Sequence, residues 1–402
     1  VQRRALLRGA GVAALATTTG CAVLPWTDAP TVDPTWQTTL GNLATVTPFE
    51  GWHLAEYGTG PPRVAALDPA DGSVELRCRD CLDLVVADGL LLLEHYGPGR
   101  TVQAYDSPVN RRWEAPGRVA AVGADTVFVR RDVGAQIRAR TELSALDRAT
   151  GESRWTHAFE TTVRGYGGAH VRSDYYAVHA ADDATVSVVC LDTVTGDQRW
   201  RTDLGSGAVP RTTTGEDAIV VGTERPTPDA PARVQALDRG GDLRWERAWP
   251  AFYAYPQWVG EPMVLLSIYR ADDRGQTVAA VTPADGKTRW TTAGTVLDVT
   301  DGVATLYESG AIVHRDIADG TVTNRLALTD AVDPGADPQL VLDGDTLFVA
   351  ADTTLTALAA GTASIRWRFR TDTSVGIAAV LPERVYAHTM STVYAIDRPA
   401  SA

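Results

Sequence analysis

One short pattern recurs along almost the whole chain. Ala145-Leu146-Asp147 is followed by Thr150-Gly151 and then Arg154-Trp155, and Cys190-Leu191-Asp192 by Thr195-Gly196 and Arg199-Trp200. Ala236-Leu237-Asp238 leads to Arg244-Trp245, and Val281-Thr282 leads through Asp285-Gly286 to Arg289-Trp290. Weaker copies surround Asp68, Asp106, Asp316, Ala359 with Trp367, and Asp397. Successive copies are roughly 41 residues apart, the period of a propeller blade. A unit of that size cannot bury its apolar face alone, so the repeats must stack on one another.

Each copy reads as four short strands. In the unit ending at Trp245, Asp217 to Val221 and Arg233 to Leu237 are apolar β-prone runs, and Arg244-Trp245-Glu246 is another. The Asp-x-x-Thr-Gly stretch predicts a tight hairpin, because Asp bonds its own backbone two residues on and Gly accepts positive φ. The Trp that follows falls on the outermost strand, where it can bury a large area against the neighbouring sheet. The structural set expected from this pattern is Asp147, Gly151, Trp155, Asp192, Gly196, Trp200, Asp238, Trp245, Trp290 and Trp367.

The two ends of the repeat array complement each other. Thr35-Trp36-Gln37-Thr38-Thr39-Leu40-Gly41 matches Arg199-Trp200-Arg201-Thr202-Asp203-Leu204-Gly205, so the array opens with an outer strand. The last unit stops at Asp397 without one. Pairing the first strand into the last sheet removes an exposed edge. The expected fold is an all-β, closed β-propeller of four-stranded blades spanning residues 35–398 as a single domain. Nine repeat units are counted, whereas propellers usually have four to eight blades, which favours eight.

The Ala145-x-Asp147-x-x-Thr150-Gly151-x-x-x-Trp155 pattern resembles the tryptophan-docking repeat of pyrroloquinoline-quinone (PQQ) type propellers. That family includes calcium-dependent quinoprotein alcohol dehydrogenases. It also includes non-catalytic lipoproteins such as the propeller subunit of the outer-membrane barrel-assembly machine. The resemblance to the enzymes implies PQQ and calcium, and with them an alcohol or sugar dehydrogenase as the alternative reading. Many of those enzymes hold the cofactor over a disulfide between adjacent cysteines; here the cysteines are Cys21, Cys78, Cys81 and Cys190. No run resembles the enzymes' calcium-binding segments. The sequence therefore favours no catalytic residue, no cofactor and no metal site, and a scaffold that binds another protein.

The segment before the repeats reads as an address. Arg3-Arg4 precedes a short Ala-rich apolar stretch, and Thr19-Gly20-Cys21 follows. Residues 1–20 are expected to be an export signal of twin-arginine type. Cys21 would be the lipidated residue and 21–34 a tether, placing the protein on the extracytoplasmic face of the cell membrane. The net charge of −13 argues against nucleic-acid binding. Lys287 is the sole lysine, and Asp outnumbers Glu, a composition that fits a salt-adapted (halophilic) source. The expected state is a monomer with an unidentified protein partner.

Cys78-Arg79-Asp80-Cys81 is a lone C-x-x-C, read as a local disulfide or two free thiols, and Cys190 as a buried small residue. The seven His are scattered, and Asp182-Asp183 and Asp272-Asp273 read as solvated acidic surface. The loops are asymmetric. The Asp-Thr-Gly hairpins are uniform, whereas connections on the opposite edge vary, as at 131–140 and 224–232. Binding usually resides on variable loops of a rigid scaffold. The candidate partner-binding residues are the aromatics Trp249, Phe252, Tyr253, Tyr255 and Trp258, with Arg164 to His170 as a second variable connection.

Overall fold

The computed structural model describes residues 30–58, 63–97, 99–107, 110–133, 140–159, 163–171, 173–181, 185–206, 208–224, 230–270, 276–328 and 338–398. Arg3, Arg4, Cys21, Asp182-Asp183, Asp272-Asp273 and the connections at 134–139 and 225–229 lie outside them. Among the described residues there are 36 strands. They fall into nine antiparallel four-strand units, in agreement with the nine repeats counted rather than with the eight blades favoured by precedent. Two of these units share a bridge at Glu224 and Tyr253, which joins them into one eight-stranded sheet.

The residues group into two compact units. The larger comprises 80–308 and 314–323. Within it, apolar clusters join each sheet to the next: Leu92, Val102 and Trp113 meet Val119 and Val127, and Val220, Val234 and Trp245 meet Ala254 and Leu266. The smaller contains the sheet from Leu43 to Cys78, the sheet from Gln339 to Arg370, and the sheet formed by the two ends of the array. In that last sheet Trp36–Thr39 pairs with Thr392–Asp397, Gln37 opposite Tyr394. Thr35 N–H donates to Ala395 O at 2.7 Å, and Leu40 N–H to Ser391 O at 3.0 Å. The expected completion of the last unit by the first strand is therefore present.

Strand chemistry follows position. Second and third strands are covered on both faces and read as continuous apolar runs, such as Leu90–His95 and Val264–Tyr269. Outer strands such as Ser153–Ala158 alternate between half-buried and exposed. The docking Trp always faces a small residue across the sheet. Trp155 is opposite Ala145, Trp245 opposite Ala236, and Trp36 opposite Ala395. Trp200 is opposite Cys190, which explains that substitution: the thiol is free, buried, and pushed by burial up to a pKa of about 12.

The Asp-to-Gly turn is the other half of each docking contact. Asp147 Oδ1 accepts the N–H groups of Ala149 and Thr150 at 2.9 and 3.0 Å, and Gly151 N–H donates to Asp147 O at 2.8 Å. Arg154 donates to Asp147 at 2.7 Å, and with the backbone donors holds its carboxyl at a pKa of about 2. The turn Gly has positive φ and receives the indole of the preceding sheet. At Gly72, Gly151, Gly196, Gly241, Gly286 and Gly320, φ runs from +65° to +91°, and a Cβ would fall 2.4–2.7 Å from that ring. The indole N–H then donates to a turn carbonyl at 2.8–3.0 Å, from Trp36 to Pro69 O through Trp290 to Ile317 O. The repeat signature is thus one interlock between adjacent sheets, made at each of these six turns.

Four histidines make the fold sensitive to acid. Burial lowers the pKa of His53, His157, His314 and His388 below the ordinary 6.5. In the unfolded chain they titrate near 6.5, so below that pH the unfolded state binds protons that the folded state does not, and stability falls. The melting temperature is expected to decline steadily from pH 7.5 to 5.5. A flat or rising profile over that interval would contradict the assignment. Glu94 acts in the opposite sense, since burial raises its pKa from 4.5.

Candidate binding surface

In every unit the start of the first strand, the end of the second, the start of the third and the end of the fourth share one edge. The Asp-Gly turns occupy the other. The variable edge holds two clusters, both within the larger unit.

The first is aromatic. Trp249 ends the outer strand Leu243–Trp249, and Tyr253–Val259 is the inner strand of the next sheet, so the connection between them is Pro250 to Phe252. The segment is strand rather than the long loop expected from sequence, with Tyr253, Tyr255 and, after a register shift at Pro256, Trp258 on one face. Trp249 packs against the apolar cluster around Trp245, and Trp258 against the one around Trp290. Tyr255 is buried, and its hydroxyl donates to Glu224 at 2.8 Å. Arg211 sits over the Tyr255 ring at 4.6 Å. Tyr253 stacks on Tyr255 with centroids 4.8 Å apart and lies against Tyr269 at 4.3 Å. Phe252, 41% exposed, packs edge-on to Tyr253. Of the five candidate aromatics, the structure brings Phe252, Tyr253 and Tyr255 into one cluster, with Tyr269 and Arg211, and turns Trp249 and Trp258 into the sheet interfaces. The second sequence candidate, Arg164 to His170, also lies in a strand, Val163–Val171.

The second cluster was not anticipated. A cavity of about 240 Å³ is lined by Arg100, Arg118, Arg130, Arg131 and Asp132, with glycine backbone at its rim. Arg100 ends the connection between the strands Leu90–His95 and Thr101–Ser107. Arg118 opens an inner strand directly after Gly117, and Arg130 and Arg131 lie in Thr126–Val133. The missed signal was positional: each Arg occupies the variable edge of its unit, though none stands at the same place in its repeat.

Cys78 and Cys81 are disulfide-bonded, so neither offers a thiolate to a metal. The Cys81 sulfur lies 4.0 Å from His95 Nε2.

Repeated four-strand units locked by an outer-strand Trp into the next unit's Asp-Gly turn define a tryptophan-docking β-propeller. The family model described as "Outer membrane protein assembly factor BamB" matches residues 99–254, 139–296 and 274–400, more than half of the chain, and the protein belongs to this family. No protein of curated function matches the sequence significantly. Similar solved structures include BamB from Moraxella catarrhalis, 16% identical over 94% of this chain and 100% of that one, with a TM-score of 0.47. The computationally designed Ika8 protein is 14% identical over 79% and 96%, with a TM-score of 0.48. Quinohemoprotein alcohol dehydrogenase from Comamonas testosteroni is 13% identical over 78% and 73%, with a TM-score of 0.45.

Proposed function

We propose that this protein is a non-enzymatic scaffold that docks another protein through the variable edge of its sheets, while anchored to the extracytoplasmic face of the membrane by lipid on Cys21. The carrying observation is the cluster of Phe252, Tyr253, Tyr255, Tyr269 and Arg211. Its partly buried rings are fixed by stacking and by the Tyr255–Glu224 hydrogen bond, and it presents Phe252 to solvent. A rigid aromatic group with an Arg beside it has the composition of an interface hot spot and loses little side-chain entropy on binding. The family's description as an assembly factor supports the reading. The anchor rests on the Arg3-Arg4 and Thr19-Gly20-Cys21 motifs.

Affinity capture from detergent-solubilised envelope tests the docking role. Wild type is expected to retain a reproducible partner that Phe252→Ala loses. A control, Val194→Ser, changes a 78%-exposed side chain in an Asp-Gly turn on the opposite edge and should retain it. Equal capture by both variants, or no reproducible partner, would refute the reading. Mass spectrometry of the mature N-terminus tests the anchor, which predicts a diacylglyceryl-modified Cys21.

A further inference from the structure

We propose that the arginine-lined cavity is a binding site for a compact phosphoryl dianion, either free phosphate or the phosphate of a small monoester. Four arginines line it against one lining carboxylate, Asp132. Two more carboxylates stand behind. Glu142 is occupied by Arg131 and Arg140, each at 2.8 Å, and Glu94 accepts Val119 N–H at 2.7 Å. Asp132 itself accepts the Thr141 hydroxyl at 2.8 Å.

The sheet register carries the argument further. Arg118 is directly opposite Arg130 across the two strands. Like charges in that position destabilise a sheet; the adjacent Arg131 is opposite Glu142. Burial, then the guanidiniums of Arg100 and Arg130, lower the pKa of Arg118, so its positive charge is held at a cost. The backbone keeps the group together. Gly117 N–H donates to Arg100 O at 2.7 Å, and at φ +126° Gly117 approaches so closely that a Cβ would meet Arg130 O at 2.6 Å.

Ligand size follows from volume. A cavity of about 240 Å³ holds about eight waters at roughly 30 Å³ each. That accommodates phosphate or glycerol phosphate. A tetrahedral dianion offers acceptor oxygens to several guanidinium forks at once, where a single carboxylate offers two.

Calorimetric titration of the full protein with inorganic phosphate and, separately, with glycerol 1-phosphate tests the site; succinate serves as the dicarboxylate comparison. Saturable one-to-one binding of phosphate, glycerol phosphate or both is expected, and the tighter of the two identifies the source. Arg118→Gln and Arg130→Gln should each weaken binding by at least about tenfold, the loss of one charge-assisted hydrogen bond. Arg201→Gln, on an outer strand elsewhere, should not. Without ligand, Arg118→Gln should melt at the same or a higher temperature than wild type, because it relieves the like-charge pair. Absence of saturable phosphoryl binding, succinate binding as tightly, or Arg118→Gln lowering the ligand-free melting temperature would overturn the assignment.

Discussion

Deleting residues 1–40 is expected to abolish cooperative unfolding of the smaller unit and to drive aggregation. The deleted segment includes Trp36–Thr39, which covers the edge of Thr392–Asp397. That strand is largely buried, with Val393, Ala395 and Ile396 fully so, and its uncovered edge would template pairing with another chain. Two cross-sheet bonds go as well: Trp36 Nε1 to Pro69 O at 2.9 Å, and Thr38 Oγ1 to Gly72 O at 2.6 Å. Trp36 is buried among Tyr57, Leu67 and Tyr386, so Trp36→Ala alone should cost about 3–5 kcal/mol. The full deletion should cost more. A peptide of residues 34–42 added during refolding should restore solubility in part, by strand addition. Light scattering with thermal melts decides the matter; a soluble truncation melting like wild type would show that the strand is dispensable.

Trp245→Ala is the second large effect, and its partner Gly286→Ala shows why. Trp245 is 6% exposed and fills the space between two sheets, with its indole N–H on Pro283 O at 2.8 Å. Its removal should cost about 3–5 kcal/mol. Gly286→Ala should cost about 2–4 kcal/mol. Positive φ contributes about 1–2, and the rest comes from a Cβ placed 2.6 Å from the indole, which must shift the ring. The double variant should be less unstable than the sum of the two, because without the indole the new methyl has room. Chemical denaturation of the four proteins measures the coupling. Strict additivity would mean that the two residues do not form one interlock.

The strands, the unit count and the docking contact were legible because they rest on local chemistry that recurs along the chain. A single Asp-Gly turn is a weak signal, but Asp147, Asp192 and Asp238 seven or eight residues before Trp155, Trp200 and Trp245 fix both the hairpin and the outer strand. The binding surface was legible only in part. The turn from Trp249 to Tyr253 lies on the variable edge, as expected, whereas the strand carries Trp258 toward the opposite edge. Sequence did not show that Trp249 and Trp258 would pack into the sheets and Phe252 stay outside, since aromatic composition is the same for an interface and for a core. The arginine cavity was not legible. It is assembled from residues up to 35 positions apart, and the opposition of Arg118 to Arg130 depends on a register shifted by an irregularity after Val119.

The most direct test of the account is a cysteine pair across the joined termini. Gln37 and Tyr394 are register partners, and directly opposed strand residues lie within the Cα spacing a disulfide needs. In Gln37→Cys/Tyr394→Cys, air oxidation should yield a monomeric protein whose peptide map contains the 37–394 cross-link and whose melting temperature rises. Cross-linking only between molecules, or none at all, would contradict the pairing of first strand with last on which the fold assignment depends.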